Sequence, residues 1–135
     1  MPRPLDENTL VAGQIDPASL PDLAAEGVTL IINNRPDHED PGQPTSAEME
    51  AAATTAGIAY RHVPIARGIG PSDVEDMRAA LACTGDGKAL AYCRSGGRSV
   101  LAWAVARSRD GVAREELERG AEAAGFSLAP VAHLL

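Results

Sequence analysis

The chain alternates short, continuous apolar runs with longer stretches in which apolar residues recur at helical spacing. The clearest run, Val28-Thr-Leu-Ile-Ile-Asn33, lacks the polar alternation of a half-exposed strand. That pattern is typical of a strand buried on both faces of a parallel sheet. Three other runs are less regular but of the same kind. The chain therefore has four predicted strands: Thr9–Gly13, Val28–Asn33, Ile58–Ile65 and Lys88–Tyr92.

Helix starts between these runs are marked by capping signals. Thr45-Ser-Ala-Glu48 and Ser72-Asp-Val-Glu75 both have the spacing of a capping box, and Asp16-Pro17 places a capping residue before a proline. Because Pro21 interrupts the first of these segments, two short turns are expected there rather than one helix. The predicted helical segments are 16–27, 45–57, 72–83, 98–109, 114–124 and a short one capped by Ser127.

This order of elements defines a fold class. Strands that alternate with helices predict an α/β fold with a mainly parallel central sheet flanked by helices. A length of 135 residues suits one domain, which we place at residues 1–135. In open parallel sheets ligands bind beyond the carboxyl ends of the strands, so chemistry is expected in the loops that follow the strands.

Composition narrows the functional classes. The net charge of −7 argues against nucleic acid as a partner, because phosphate backbones require basic surfaces. The sequence has no apolar run long enough for a membrane span and no apolar signal core at its start, so we expect a cytoplasmic location and no membrane partner. Two cysteines do not make a disulfide framework, and the three histidines lack metal-ligand spacing, so neither a metal nor another cofactor is expected.

The segment Ala91-Tyr-Cys-Arg-Ser-Gly-Gly-Arg-Ser99 carries most of the chemical information. It places Cys93 where a strand ends and the next helix begins, and the unpaired N–H groups of a helix N-terminus bind anions. Gly96 and Gly97 permit the dihedral angles that turn several N–H groups inward. The arginines and the helix terminus also favour the thiolate, which is the nucleophilic form of cysteine. We call residues 93–98 the anion loop and predict that it binds an oxyanion beside a reactive sulfur.

Roles within the anion loop follow from position. Cys93 is predicted to be the nucleophile, Arg98 to bind the anion, and Arg94 to lie at the rim, where it would steer anionic substrates. Ser99 is expected either to hydrogen-bond the Cys93 sulfur or to be an ordinary residue of the first helical turn. Backbone donors are expected from Ser95, Gly96, Gly97 and Arg98.

A second polar segment, Asn34–Pro44, is the longest loop of the chain. We call it the polar loop, and it leaves the sheet at the same end as Cys93 if the strands are parallel. Asp37 and His38 are candidates for a proton-donating acid, although a solvated loop is the preferred interpretation of both. Arg35 is expected either to contact the anion loop or to pair with a local carboxylate. Arg35 and Asp37 are also counted among the expected substrate-binding residues, together with residues 94–97 of the anion loop.

Other candidate side chains have structural interpretations. Asp73 is expected to stabilise the start of a helix. His62 is expected to be packed and Trp103 to belong to the core. Cys83 is expected to be a small buried residue, too far from Cys93 for a disulfide because a whole strand separates the two.

The spacing within the anion loop resembles one known family. Four residues lie between Cys93 and Arg98. This is similar to rhodanese sulfurtransferases, which commonly have Cys-Arg-x-Gly-x-Arg, whereas protein tyrosine and dual-specificity phosphatases place five residues there. The resemblance of the loop alone therefore implies sulfur transfer.

The rest of the chain resembles a different family. Ala12-Gly13-Gln14, Ile32–Asp37, Gly42-Gln43-Pro44 and Val63-Pro64-Ile65 are similar to motifs of the phosphatase-like domain of bacterial beta-lactamase hydrolase-like proteins. The resemblance covers roughly residues 5 to 110 and implies a fold similar to that of dual-specificity phosphatases. It also implies a divided chemistry, because such domains have been described as phosphatases and as sulfurtransferases. They occur alone or fused to a persulfide-dioxygenase-type metallo-hydrolase.

The preferred prediction is a sulfurtransferase that moves sulfane sulfur from thiosulfate or a low-molecular-weight persulfide through a persulfide on Cys93. A phosphatase needs an acid to protonate its leaving alkoxide, and the segment Ala66–Gly70, which matches the family's acid loop, has no carboxylate. Tyr92 also stands where phosphatases usually have histidine.

Two alternatives remain open. One is a cysteine-dependent phosphatase that hydrolyses phosphate esters through a phosphocysteine at Cys93, with Asp37 or Asp73 as the acid. The other is a non-catalytic persulfide carrier or anion-binding module. In each case the ligand is a small anion, and a persulfide-dioxygenase-type enzyme is the expected partner of a sulfur carrier.

Overall fold

A computed structural model describes residues 2–135, which form a five-stranded sheet between two layers of helices. The strands are β1 (Arg3–Asp6), β2 (Thr9–Ala12), β3 (Val28–Asn33), β4 (Ala59–His62) and β5 (Lys88–Tyr92). Their order across the sheet is β1-β2-β5-β3-β4. The edge strand β1 is antiparallel to β2, and all other neighbours are parallel. The predicted α/β fold with a mainly parallel sheet is confirmed.

Helices connect the parallel strands. They are α1 (Leu20–Ala25), α2 (Ser46–Thr55), α3 (Pro71–Leu81), α4 (Gly97–Arg109) and α5 (Arg114–Ala123), with 3-10 turns at Pro17–Ser19 and Ala129–Leu134. The first segment is divided into two short pieces, as Pro21 predicted. No helix within residues 2–135 combines the length and apolar character that a membrane crossing requires.

Two apolar clusters pack on the opposite faces of the sheet. Leu30 and Ile32 of β3 point to the cluster that includes α3, α4 and α5. Ile31, between them, points to the cluster that includes α1 and α2. Successive side chains of a strand alternate between faces, so the apolar interior residues of β3 (30–32) and β5 (89–91) fill both clusters, as expected for strands that are not at a sheet edge.

The sequence pattern did not predict β1. Its residues Arg3–Asp6 are mostly polar and include a proline. An edge strand tolerates both features, because one of its sides needs no ladder hydrogen bonds. The strand predicted at Ile58–Ile65 is shorter than expected and ends at His62, just before the segment that contains Pro64. Proline has no N–H to donate, so regular pairing ends near it.

The start of α3 differs from the predicted capping box. Pro71 is the first helical residue, and the capping position belongs to Gly70 rather than to Ser72. The Gly70 N–H donates to Asp73 Oδ2 at 2.9 Å. Since glycine has no side chain to reciprocate, only half of the capping box is formed. By contrast, the box predicted at Thr45 and Glu48 is complete.

Candidate active site

The anion loop leaves the carboxyl end of the central strand β5 and enters α4. Cys93 is 1% exposed, and its Sγ accepts a hydrogen bond from the Gly96 N–H at 3.1 Å. Gly96 caps α4 with φ of 98°, in the left-handed region that glycine tolerates without a steric penalty. The chain can therefore turn sharply around the sulfur, which is the geometry that the sequence predicted.

Backbone donors remain available in the anion loop. The N–H groups of Ser95, Gly97 and Arg98 have no hydrogen-bond partner within residues 2–135. They lie at the N-terminus of a 13-residue helix, where the aligned peptide dipoles favour negative charge. Such a loop is suited to bind an oxyanion next to Cys93.

The end of β2 supports the anion loop from beneath. The Gln14 N–H donates to the Arg94 carbonyl oxygen at 3.2 Å. A Cβ atom on Gly13 would lie 3.0 Å from the same oxygen, so a side chain at this position would press on the loop. Phe126, which follows α5, closes the other side and lies 3.1 Å from where a Cβ of Gly96 would be. The conformation of the loop is thus fixed by distant segments.

The Arg98 side chain is held by two groups from other loops. Its Nη1 donates to the Ile65 carbonyl oxygen at 2.7 Å. Nη1 and Nη2 also donate to the two carboxylate oxygens of Glu39, at 2.7 and 2.9 Å. The hydrogen bond from Arg98 is the main reason that the pKa of Glu39 falls to about 2; partial burial opposes the shift, and Arg35 reinforces it. The pKa of Arg98 is raised, first by Glu39 and more weakly by the charge of the Cys93 sulfur.

Arg35 is the buried centre of this ion-pair network. Its side chain is only 4% exposed. Nε donates to Glu39 at 3.0 Å, Nη1 to Gln14 Oε1 at 3.0 Å, and Nη2 to Asp40 at 2.6 Å. Asp40 also pairs with Arg94 at 3.1 Å. Glu39 and Asp40 therefore bridge Arg35 to both arginines of the anion loop, so of its two expected roles Arg35 has the pairing with local carboxylates.

Ser99 does not donate to the Cys93 sulfur. Its Oγ donates to Asn34 Oδ1 at 2.8 Å, and a hydroxyl has only one proton to give. The amide of Asn34 in turn donates to the Val63 carbonyl oxygen at 2.9 Å, and its backbone N–H bonds to Tyr92. Ser99 thus connects α4 to the ends of β3 and β4, and of its two expected roles the structure shows the one in the first helical turn.

Neither aspartate considered as a proton donor is free. Asp37 Oδ1 accepts from the Ser46 N–H at 2.8 Å at the start of α2. Asp73 Oδ2 accepts from Gly70 at the start of α3. His38 is exposed in the polar loop, with a left-handed backbone φ of 64°. Asp37, expected as a substrate-binding residue, therefore has a helix-starting role in this structure.

Tyr92, next to the nucleophile, belongs to the apolar cluster on the α1 and α2 side of the sheet. Its hydroxyl is buried without a hydrogen-bond partner within residues 2–135. Burial is the first cause that raises the pKa of Tyr92 well above its usual value. The hydroxyl therefore stays protonated at physiological pH.

Two expectations outside the loops were wrong. His62 is exposed rather than packed, and its Nε2 lies 2.9 Å from the Arg35 carbonyl oxygen. Cys83 is exposed rather than buried, and both cysteines are free thiols. Trp103 is 1% exposed in the core, as expected, and donates to Asp6.

The sequence analysis missed the carboxylates that contact the anion loop. Glu39 and Asp40 follow the candidates that it singled out in the polar loop, but they lie 59 and 54 residues before their partners Arg98 and Arg94. The available signal was an acidic segment and a two-arginine segment that both leave the carboxyl edge of one parallel sheet. No three His, Cys, Asp or Glu side chains in the described chain form a cluster that could hold a metal ion.

A thiol at the end of a central parallel strand, followed by a glycine turn and an arginine that enters a helix, defines a phosphatase-like domain with a cysteine–arginine anion loop. Residues 2–110 match the family model of the beta-lactamase hydrolase-like protein, phosphatase-like domain. The chain belongs to that family.

Relatives of known name agree with this assignment. The beta-lactamase hydrolase-like protein of Xylella fastidiosa (strain Temecula1) is 36% identical over 126 residues, which cover 92% of this chain. The protein of the same name from Agrobacterium fabrum is 34% identical over 128 residues. The chain spans only 29% of the length of these relatives.

Solved structures share the fold. A Neisseria meningitidis protein described as a "putative phosphatase" is 36% identical, with a TM-score of 0.79 over 94% of this chain and 90% of that one. The structure of PTPMT1 in complex with PI(5)P has a TM-score of 0.74 at 17% identity, over 98% of this chain and 93% of that one. Tk-PTP in its active form has a TM-score of 0.72 at 18% identity, over 94% and 86%. The last two comparisons concern the fold alone.

Proposed function

We propose that this domain is a cysteine-dependent sulfurtransferase in which Cys93 carries sulfane sulfur. The observation that carries the proposal is the engagement of the carboxylates around the anion loop. Glu39 is fixed between two arginines, with its pKa lowered to about 2, and so remains ionised at neutral pH. Asp37 and Asp73 accept backbone hydrogen bonds at helix starts. None of the three is set up to protonate a leaving alkoxide.

Sulfur transfer does not need such an acid. The Cys93 thiolate attacks the outer sulfur of thiosulfate, the S–S bond breaks, and sulfite leaves with the bonding electron pair. A Cys93 persulfide remains. An acceptor thiolate then attacks the terminal sulfur, and the Cys93 thiolate departs with the second electron pair. The two leaving groups, sulfite and the Cys93 thiolate, are both stable anions, so neither step requires a proton donor at the leaving group.

The anion loop supplies what these steps require. Arg98 and the available N–H groups of Ser95 and Gly97 would bind the sulfonate oxygens of thiosulfate and stabilise charge that moves onto the leaving group. The same N–H groups would then surround the persulfide anion. This chain spans 29% of the length of its longer relatives, and we keep a persulfide-consuming enzyme as the proposed acceptor.

A cysteine-dependent phosphatase is the second candidate. The fold and the descriptions of the similar structures support it better than they support sulfur transfer. In this reaction the Cys93 thiolate would attack phosphorus, the alkoxide would leave, and water would then hydrolyse the phosphocysteine. Given the engaged carboxylates, we expect such activity to be confined to aryl esters, whose leaving groups need little protonation.

Intact-protein mass spectrometry separates the candidates. The protein is incubated with thiosulfate, and a parallel sample is assayed for phosphate release from an aryl phosphate. Sulfur transfer predicts a mass gain of one sulfur atom that is retained in Cys83→Ser, lost in Cys93→Ser and discharged by a thiol acceptor. Phosphate release that depends on Cys93, without a sulfur adduct, would overturn the proposal in favour of the phosphatase. An adduct that no small-molecule thiol discharges would overturn catalytic transfer and favour a carrier that delivers sulfur only to a partner protein.

A further inference from the structure

The Arg98 guanidinium is held by hydrogen bonds from Nη1 and Nη2, whereas none is made by Nε within the described chain. Three of its five N–H groups are used: one of Nη1 by Ile65, and one each of Nη1 and Nη2 by Glu39. No oxygen of residues 2–135 accepts from the remaining two, on Nε and Nη2, and the Cys93 sulfur interacts with this side chain closely enough to raise its pKa. In a planar guanidinium these two N–H groups lie on the same edge and form a fork that fits two oxygens of one oxyanion.

We infer that Glu39 is a positioning residue, which holds the far edge of Arg98 so that the Nε–Nη2 edge is presented as a fixed fork to the substrate oxyanion. The inference rests on the anion loop being the substrate site, as in the proposed function, but it does not depend on whether sulfur or phosphorus is attacked. The inference requires a substrate with two oxygens on one anionic group, as in a sulfonate or a phosphoryl group.

The contacts of Glu39 indicate that it supports Arg98 permanently. They do not favour a carboxylate that occupies the anion site and moves away when substrate binds. Its second partner is the buried Arg35, which also binds Asp40. The backbone N–H of Glu39 donates to Gln43 Oε1, and the Gln43 amide donates to the Pro36 carbonyl oxygen. To withdraw from Arg98, Glu39 would have to break these contacts within the polar loop together.

We expect that this arrangement lowers the conformational entropy that the Arg98 side chain loses when the oxyanion binds. A free arginine side chain must lose rotamer freedom when it grips a ligand, and a group that is held in place beforehand has already lost it. Without the grip of Glu39 we expect oxyanion binding to weaken roughly two- to tenfold, which corresponds to the usual cost of immobilising one long side chain.

The test measures binding of inorganic sulfate without any turnover. In a Cys83→Ser background, where Cys93 is the remaining thiol, the rate of Cys93 alkylation by the neutral reagent iodoacetamide is followed at constant, high ionic strength. The sulfate concentration that halves this rate gives the dissociation constant. The test variant is Glu39→Asp, which keeps the charge but shortens the reach. The matched control is Glu50→Asp, at an exposed position of α2.

The inference predicts weaker sulfate protection in Glu39→Asp than in Glu50→Asp, with alkylation in the absence of sulfate serving as the check that the loop is intact. Equal protection would overturn the inference. Stronger protection would show that the Glu39 carboxylate competes with the substrate, which also overturns it. If the shorter side chain impairs folding, Glu39→Gln against Glu50→Gln repeats the comparison at unchanged length, and weaker protection is again expected.

The outcomes remain distinct from those of the proposed function. A sulfur adduct on Cys93 with equal sulfate protection in both variants would leave the sulfurtransferase intact and remove the role of Glu39. Weaker sulfate protection in Glu39→Asp without any sulfur adduct would support the positioning role and remove sulfur transfer. Absence of sulfate protection in the parent protein would overturn the inference, since the anion loop would then not bind a tetrahedral oxyanion.

Discussion

The two cysteines lie at opposite ends of β5, and each has an arginine nearby, yet their surroundings differ in kind. Cys83 follows the C-terminus of α3 and is exposed; its Sγ contacts the Ala79 carbonyl oxygen at 3.4 Å and Arg61 at 3.6 Å. Cys93 precedes the N-terminus of α4 and accepts a backbone N–H. Helix C-termini present carbonyl oxygens and N-termini present N–H groups. The helix terminus next to each cysteine, rather than the residue type, therefore decides which thiol lies at an anion-binding site.

The largest effect is expected from removing the arginine that faces the anion loop. Arg98→Ala should lower the second-order rate of Cys93 persulfide formation from thiosulfate about a hundredfold, which is typical of losing a donor to a developing anion. Arg94→Ala, at a side chain that is 67% exposed, should lower it less than about threefold. Rates from intact mass at constant ionic strength check this. The reverse order of the two variants would contradict the assigned roles.

The buried ion pairs near Cys93 should matter more for stability than those elsewhere. Arg35→Ala leaves Glu39 and Asp40 without their shared partner, and we expect a loss of about 2 to 3 kcal/mol in the free energy of unfolding. The control is Arg114→Ala, which removes an exposed pair with Glu118 and should cost less than about 0.5 kcal/mol. Urea unfolding of both variants measures the difference. Similar losses in the two would mean that the network contributes no more than a surface pair.

The contrast between the thiols can be measured directly with two alkylating reagents of different charge. Cys93 should prefer the anion iodoacetate over neutral iodoacetamide about tenfold more strongly than Cys83 does, because only Cys93 lies among unpaired N–H groups and an arginine with a free edge. Each thiol is measured in the variant that lacks the other, Cys83→Ser and Cys93→Ser. The same reagent preference at both positions would remove the distinction between the two ends of β5.

The smallest expected effect is a pH-dependent loss of stability when the charge of Glu39 is removed. The pKa of Glu39 is lowered to about 2 in the folded protein, so its ionised form stabilises the fold above its unfolded pKa, and that contribution is lost as pH falls toward 2. Glu39→Gln should therefore be less stable than the parent at pH 7, by less than about 1 kcal/mol for this partly exposed pair. Thermal unfolding should show the gap narrowing between pH 4.5 and 2. A gap that widens on acidification would contradict the sign.

Much of the fold could be predicted because its signals are local. The continuous apolar run of β3 and the complete capping box of α2 each specify one element from neighbouring residues. The edge strand β1 could not be predicted, since its polar residues are ordered by pairing with β2 and not by their own preference. The start of α3 was misplaced because Ser72 and Glu75 have the spacing of a capping box, and only the structure shows that Asp73 instead accepts from Gly70.

In the candidate site, too, one part could be predicted from the sequence and another part could not. The anion loop could be predicted because its cysteine, glycines and arginine are contiguous. The partner of Arg98 could not, since Glu39 is far away in sequence and reaches it only after β3 and β5 pair side by side. The two possible roles of Ser99 could not be separated from sequence either, because the deciding group is the side-chain amide of Asn34, which follows β3 and is 65 residues away.

The ion-pair network around the anion loop has a consequence for how substrates arrive. Its three arginines, at positions 35, 94 and 98, face two carboxylates, at positions 39 and 40, so the network has one uncompensated positive charge. The protein as a whole carries −7. Because Arg94 is paired with Asp40, its charge attracts distant anions only weakly. Substrate capture should therefore be short-ranged, governed by fit within the loop, and weakly dependent on ionic strength. A nearly neutral site should also release an anionic product easily.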